Sequence, residues 1–201
     1  MQAARGASLN SSDNTDPQTV PSSQSRRRYL WLFAVIAASA YALDVVTKSL
    51  ALEYLRGEPR IPLLGDVLSL YLTHNSGAAF SFLTGQTPLL SIVAIVAVVV
   101  VVWLARRLGS AGWAIGLGFL LGGVAGNLTD RLVRDPGFLR GHVVDFFMLP
   151  HFPVFNVADI CINIAAGTMI LQALRGVSID GTRHSEPTGD ESDGAGKAAG
   201  S

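Results

Sequence analysis

The chain has few charged residues and no net charge. Only 15% of its 201 residues are Asp, Glu, Lys or Arg, whereas an average soluble domain has about 25%. The 15 basic and 15 acidic side chains cancel one another. Because a nucleic-acid-binding protein needs a basic surface, we expect no nucleic-acid partner.

Cysteine and the common hydrolase motifs are scarce or missing as well. Cys161 is the single cysteine, so an intramolecular disulfide and a Cys-rich metal site are both excluded. The sequence has no H-E-x-x-H helix and no G-x-S-x-G turn, which argues against a zinc peptidase and a serine hydrolase. His74, His142 and His151 leave a metal site open as an alternative, but we expect no metal and no cofactor.

Long apolar segments are what the sequence does contain. Hydrophobic residues make up 49% of the chain and are concentrated in four blocks. A membrane-spanning helix needs about 20 mostly apolar residues, and the blocks predict spans at about 29–50, 88–105, 110–129 and 154–174. Isolated strands of this length would leave backbone groups unpaired in hydrocarbon. We therefore predict an all-α membrane protein with four transmembrane helices.

The two ends of the chain have a different composition. Residues 1–25 are rich in Ser, Asn, Gln and Pro, and residues 176–201 are rich in Gly, Ser and acidic side chains. Both are predicted to be disordered tails that flank one four-span domain at 26–175. An alternative is that the segment from Arg26 to Ala40 is a secretory signal peptide ending in Ala-Ser-Ala. The mostly polar segment of 25 residues that precedes it argues against this alternative.

Arginine residues predict the orientation of the four spans. Arginines occur before the first span, between the second and third spans, and after the fourth span. With four spans, all three of these positions lie on the same side of the membrane. The residues are Arg26, Arg27, Arg28, Arg106, Arg107 and Arg175. Positive charge marks the cytoplasmic side. Both termini are then cytoplasmic, and the loops at 51–87 and 130–153 lie outside.

The same topology brings the unusual polar residues to the outer side. They lie at the ends of spans one and three, at the start of span four and in the outer loops: Asp44, Lys48, Asn75, Asn127, Asp130, Arg131, Asp145, Asn156, Asp159. Ionisable groups inside a membrane are costly and usually mark a function. A functional site near the outer leaflet is therefore predicted.

Charge pairing within this set indicates an aspartic peptidase. If Lys48 pairs with Asp44 and Arg131 with Asp130, then Asp145 and Asp159 have no basic partner. Two such carboxyl groups brought close together share one proton. The ionised member can activate water and the neutral member can protonate an amide carbonyl. A small transporter and a non-enzymatic membrane assembly factor remain open as alternatives.

Glycine recurs every four residues in the third span, at Gly118, Gly122 and Gly126. This spacing places a smooth groove on one helix face, where another helix can approach closely. We expect the groove to serve packing.

Five sequence blocks, in order, resemble the lipoprotein signal peptidases, also called signal peptidase II. The resemblance runs from about Tyr29 to Leu174 and rests on these blocks: Asp44-Val-Val-Thr-Lys48, Asn75-Ser-Gly77-Ala-Ala-Phe80, Gly122-Gly-Val-Ala-Gly-Asn127-Leu-Thr-Asp130-Arg131, Gly141-His142-Val-Val-Asp145-Phe146, Phe155-Asn156-Val-Ala158-Asp159. Each block is weak by itself, but five in order on four spans are specific.

The resemblance implies a particular reaction and site. Enzymes of this family remove signal peptides from diacylglyceryl-modified prolipoproteins, cutting just before the lipidated cysteine, without metal or cofactor. The catalytic pair corresponds to Asp145 and Asp159. Supporting and substrate-binding positions correspond to Asp44, Lys48, Asn75, Gly77, Asn127, Asp130, Arg131, Asn156 and Ala158.

The resemblance also implies an architecture and a location. We expect a small extracytoplasmic β-cradle with a short interfacial helix, and the alternation over Leu68–Thr73 is consistent with one of its strands. The location implied is the bacterial cytoplasmic membrane, with membrane lipid and the prolipoprotein as partners and the chain as a monomer. The long polar tails and the high Ala, Gly and Arg content suggest an actinobacterial source.

Overall fold

Four long helices form most of the structure, a computed structural model that describes residues 23–77 and 87–183. They are α1 (Ser23–Tyr54), α2 (Thr87–Ala105), α3 (Ala111–Val133) and α4 (Val157–Leu174). Each is long and apolar enough to cross a membrane. The prediction of four membrane-spanning helices is confirmed, and α1 extends beyond its predicted span at both ends.

Helix α3 lies at the centre of the bundle because its glycines allow neighbouring helices to come close. A methyl group on Gly122 would lie 2.7 Å from the carbonyl oxygen of Ala37 in α1. On another face, a methyl group on Gly123 would lie 2.6 Å from the carbonyl oxygen of Ala158 in α4. The close helix approach predicted from the glycine spacing is therefore present, and α2 packs mainly against α3.

A three-stranded antiparallel sheet covers one end of the bundle. Its strands, in spatial order, are β1 (Ile61–Leu64), β2 (Leu68–Asn75) and β3 (Val143–Met148). The strand predicted at Leu68–Thr73 is confirmed within β2, whereas β3 was not predicted. Residues 55–77 contain no further helix, and the rest of that loop, residues 78–86, lies outside the described residues.

The ordered structure extends further towards both termini than predicted. Residues 23–25 belong to α1, and residues 176–183 form a turn closed by a bridge between Val177 and Arg183. This turn packs on the end of the bundle opposite the sheet, where the Trp113 indole donates a hydrogen bond of 2.7 Å to the Val177 carbonyl. The prediction of disorder from residue 176 is therefore wrong for 176–183, because that segment has partners that its polar composition does not reveal. Residues 1–22 and 184–201 lie outside the described residues.

Candidate active site

A cavity of about 710 Å³ lies where the C-terminal end of α3 and the N-terminal end of α4 meet the sheet. Polar groups at its centre are surrounded by apolar side chains from α2, α4 and the loop that precedes α4. Its lining is Asn75, Gly77, Leu90, Asn127, Arg131, Val143, Asp145, Phe152, Pro153, Val154, Phe155, Asp159, Ile160, Asn163 and Ile164.

Strand β3 directs Asp145 into this cavity. Successive side chains of a strand point to opposite faces, so Val144 and Phe146 enter the core while Asp145 faces the cavity. On β2, the side-chain amide of Asn75 donates a 3.0 Å hydrogen bond to Asp145 Oδ2. The Gly77 backbone N–H donates to Asn75 Oδ1 at 2.8 Å, which fixes the orientation of the Asn75 amide.

The start of α4 positions Asp159. Asn156 is the N-cap, and its side chain accepts from the Asp159 N–H at 3.0 Å. In return, the Asn156 N–H donates to Asp159 Oδ2 at 3.1 Å, which completes a capping box. From α3, the Asn127 side-chain amide donates to Asp159 Oδ1 at 2.9 Å. Both carboxylate oxygens of Asp159 are therefore held in place.

Asn156 connects the two aspartates. Its side-chain amide donates to Asp145 Oδ1 at 2.6 Å and to Asn127 Oδ1 at 3.0 Å. The chain reaches this position because β3 is followed by a short turn, after which Phe155 pairs with Phe147. The short segment between Asp145 and Asp159 therefore folds back and places both carboxyl groups on the same cavity.

A buried ion cluster lies behind the aspartates. Lys48 is only 1% exposed, and its ammonium group is 2.7 Å from Asp44 Oδ2 and 2.9 Å from Asp130 Oδ2. Asp44 also accepts the Ala158 backbone N–H at 2.8 Å, which ties α1 to the first turn of α4. The predicted Lys48–Asp44 pair is thus present, and Lys48 also pairs with a second acid, Asp130.

The partner predicted for Asp130 is wrong. Asp130 pairs with Lys48 and with Arg134, one turn further along α3, and not with Arg131. Adjacent residues of a helix do not face each other, whereas residues four apart do. Arg131 instead lines the cavity with the two aspartates, and its Nη1 atom is buried without a hydrogen-bond partner.

Burial changes the acidity of Asp145. The side chain is 1% exposed, and burial raises its pKa from an ordinary 3.8 to about 6. Hydrogen bonds from Asn75 and Asn156 act in the opposite direction, while the nearby negative charge of Asp159 adds to the rise. Asp145 is therefore poised to hold a proton close to neutral pH.

The structure brings every candidate residue into one connected region, including Gly77 and Ala158. The sequence did not indicate Arg134, whose position i+4 from Asp130 could have revealed it, or the aromatic wall at Phe152 and Phe155. His74 and His151 are exposed, and neither they nor His142 line the cavity. Residues 23–77 and 87–183 contain no group of three or more His, Cys, Asp or Glu side chains placed to hold a metal ion.

Fold and cavity together define a multi-pass membrane protein with a polar site at one end of its helix bundle. The family model described as Signal peptidase (SPase) II matches residues 36–175. The chain therefore belongs to the signal peptidase II family, as its sequence blocks predicted.

Individual relatives agree with the family assignment. The chain is 46% identical to a lipoprotein signal peptidase of Mycobacterium avium, over 81% of this chain and 88% of the relative. It is 45% identical to one of Rhodococcus jostii, over 85% and 86% of the two chains. A solved structure described as a bacterial membrane enzyme has a TM-score of 0.63 and 25% identity, covering 71% of this chain and 92% of that one. Both of these relatives are actinobacterial proteins.

Proposed function

We propose that this chain removes the signal peptide from diacylglyceryl-modified prolipoproteins, cutting just before the lipidated cysteine, with Asp145 and Asp159 as the catalytic pair. One observation carries the aspartic mechanism. Asp145 and Asp159 line the same cavity and are bridged by Asn156, and neither forms an ion pair with any residue in the described part of the chain. Family membership and the names of the relatives support the substrate class.

The proposed reaction is a direct attack of water on the scissile amide. One carboxylate removes a proton from water, whose oxygen bonds to the carbonyl carbon, while the other carboxyl group protonates the carbonyl oxygen. The tetrahedral intermediate then collapses. The proton taken from water goes to the departing nitrogen, the C–N bond breaks, and a hydroxyl proton returns to the acid. No metal or cofactor takes part.

The substrate helix is proposed to enter from the membrane between α2 and α4. Both helices pack on α3, and both supply apolar side chains to the cavity wall: Leu90 from α2, and Ile160 and Ile164 from α4. Ile160 and Ile164 are also exposed on the outside of the bundle. A signal helix lying there would keep its acyl chains in lipid, and one copy of the chain holds the complete site, consistent with a monomer.

Arg131 is proposed to bind the substrate backbone. A buried guanidinium N–H without an acceptor is costly, and Arg131 Nη1 is such a group beside the two aspartates. A carbonyl oxygen of the bound substrate would supply the missing acceptor. Asn127 and Asn156 hold the aspartates in position, while Asp44, Lys48 and Asp130 anchor the helices behind them.

The site is proposed to face the outer leaflet of the bacterial cytoplasmic membrane, with both termini in the cytoplasm. The sheet and the cavity lie at one end of the bundle, and the arginines at 26–28, 106–107 and 175 lie at the other. Positive charge favours the cytoplasmic side. The cleavage site of an exported lipoprotein lies at the opposite face.

Cleavage of a lipidated precursor by purified protein tests the proposal. Asp145→Asn and Asp159→Asn should each lower kcat by about 10³-fold or more, because each removes one proton-transfer group. Asp66→Asn is the matched control, since Asp66 is exposed and outside the cavity. Wild-type activity should survive a chelator and need no ion gradient.

Each rival function predicts a different result from the same preparation. A transporter would not cleave the precursor at all, and an assembly factor would keep its function in both Asp→Asn variants. Full cleavage by either variant would remove that aspartate from the mechanism. Loss of activity with chelator would favour a metal enzyme.

A further inference from the structure

We propose that Lys48, acting through Asn127, assigns the roles of the two aspartates, so that Asp159 is the carboxylate that activates water and Asp145 is the acid that protonates the amide. This inference rests on the proposed function and deepens it. Lys48 is a positioning residue here, because it contacts neither aspartate of the pair and reaches Asp159 only through the Asn127 side chain.

The orientation of the Asn127 amide is the key feature. Its oxygen accepts two hydrogen bonds, one from the Lys48 ammonium at 2.9 Å and one from the Asn156 amide at 3.0 Å. Ammonium and amide N–H groups can only donate, so the Asn127 oxygen must face them. Its own N–H group is then forced towards Asp159 Oδ1, at 2.9 Å. A positive charge thereby polarises a donor that points at this carboxylate.

Asp159 also has the surroundings of an ionised group. It is the third residue of α4, where the backbone N–H groups and the helix dipole favour negative charge. Its second oxygen accepts the backbone N–H of Asn156 at 3.1 Å. The side chain is partly exposed to the cavity, so the charge is not fully desolvated.

Asp145 has the surroundings of a neutral group. It lies on a strand, far less exposed than Asp159, and its donors are the neutral amides of Asn75 and Asn156. Burial without an ion-pair partner favours the protonated form of a carboxyl group, in agreement with its raised pKa of about 6. With one proton available to the pair, Asp145 is the better place for it.

Burial has the largest effect on the pKa of Asp145 and keeps it raised, although the positive charge of Lys48 lowers that pKa. Asp44 and Asp130 are neutralised by Lys48 and Arg134 in the cluster behind Asn127. Arg131 lines the cavity with both aspartates and adds one positive charge to the two carboxyl groups. When one of the two carboxyl groups is protonated, the single remaining negative charge is balanced by the positive charge of Arg131. The remaining asymmetry comes from Lys48 through Asn127 and from the first turn of α4.

The assigned roles give a balanced proton path. Asp159 takes a proton from water as the hydroxyl oxygen bonds to the carbonyl carbon, and Asp145 gives its proton to the carbonyl oxygen. On collapse, Asp159 passes its proton to the amide nitrogen as the C–N bond breaks. A hydroxyl proton of the intermediate returns to Asp145, which restores the starting state.

Infrared titration of the purified full-length protein tests the assignment without requiring activity. Spectra from about pH 4 to about pH 8 should show the C=O band of a buried, protonated carboxyl group, with a midpoint of about 6. The band should be lost in Asp145→Asn and kept in Asp159→Asn. A band that is lost only in Asp159→Asn, or in both variants, would overturn the assignment.

A pair of variants tests the role of Lys48. Asp44→Asn keeps the ammonium group against Asn127 and Asp130, whereas Asp44→Asn with Lys48→Met removes it and returns the net charge of that pair to its wild-type value of zero. In the double variant kcat should be about tenfold lower than in the single one, because the Asn127 donor that points at Asp159 loses its polarising charge. KM should change little, because Lys48 does not line the cavity.

A second variant tests the same connection if the double variant does not fold. If the double variant does not give a thermal unfolding transition, Asn127→Leu breaks the same connection and leaves the Lys48–Asp44 and Lys48–Asp130 pairs in place, and the same fall in kcat is expected. An unchanged kcat in a folded variant would overturn the role of Lys48. If the wild type does not cleave a lipidated precursor, the proposed function fails, while the infrared titration still decides where the proton resides.

Discussion

Asp145, which we propose as a catalytic residue, lowers the stability of the fold that holds it at neutral pH. The side chain is almost completely buried, without an ion-pair partner among the described residues. Natural proteins tolerate such groups mainly at functional sites, where stability is given up for chemistry.

Asp145→Asn should therefore stabilise the protein at neutral pH. The pKa of Asp145 is raised from 3.8 to about 6 on folding, so its favourable contribution is complete below about pH 4 and is lost as the pH rises through 6. The variant avoids that loss, which is at most about 3 kcal/mol. Thermal unfolding in detergent should show a higher Tm than wild type at about pH 7.5 and no gain at about pH 4. An equal loss of Tm at both pH values would contradict the explanation.

Arg131 and Arg134 show what residue-level reasoning can miss. Sequence adjacency suggested that Arg131 neutralises Asp130, but helix geometry gives that role to Arg134 and Lys48. Arg131 is thereby left in the cavity with an unpaired N–H group. The i+4 spacing could have revealed Arg134 from the sequence, whereas the unpaired state of Arg131 could be recognised only in three dimensions.

At the scale of elements, the glycines of α3 determine how closely α1 can approach. Gly122 lies against Ala37 and Ala40, and Gly126 lies against Asp44. The backbone contact therefore brings the Asp44–Lys48 turn close enough to reach Asp130 and Asn127. A packing feature of one helix in this way positions the ion cluster behind the site.

Gly122→Ala should push α1 away from α3 and destabilise the bundle by about 1–3 kcal/mol, the usual cost of overpacking. Gly167→Ala in α4 is the matched control, because a methyl group there would meet nothing within 4 Å. The control should be neutral or slightly stabilising, since alanine favours helix. Thermal unfolding and precursor cleavage would be measured for both. Equal behaviour of the two variants would show that close approach is unimportant.

Strand β3 was the element hardest to foresee. The segment Val143–Met148 is short and has no clean alternation, because its residues are buried on both faces. It pairs with β2, which lies about 70 residues earlier in the sequence. Because the two strands are so far apart in the sequence, no short sequence pattern indicates that they pair. Without β3, however, Asp145 would have no fixed direction.

For the whole molecule, orientation in the membrane can be tested with introduced cysteines. In a Cys161→Ala background, Arg140→Cys lies at the sheet end and Arg106→Cys at the opposite end, and both positions are exposed. A membrane-impermeant maleimide should label Arg140→Cys in intact cells, and Arg106→Cys only after permeabilisation, because positive charge remains inside. Labelling in the reverse order would place the site in the cytoplasm.

The sequence alone determined the membrane class, the four spans, the glycine groove and the candidate residues. These follow from apolar length, from helix periodicity and from five short blocks, all of which are local properties of the chain. The tertiary structure decided which charges pair, how β3 directs Asp145, and how Asn127 is oriented between Lys48 and Asp159. Such features depend on side chains brought together from distant segments, and both burial and hydrogen-bond direction exist only after those segments have packed.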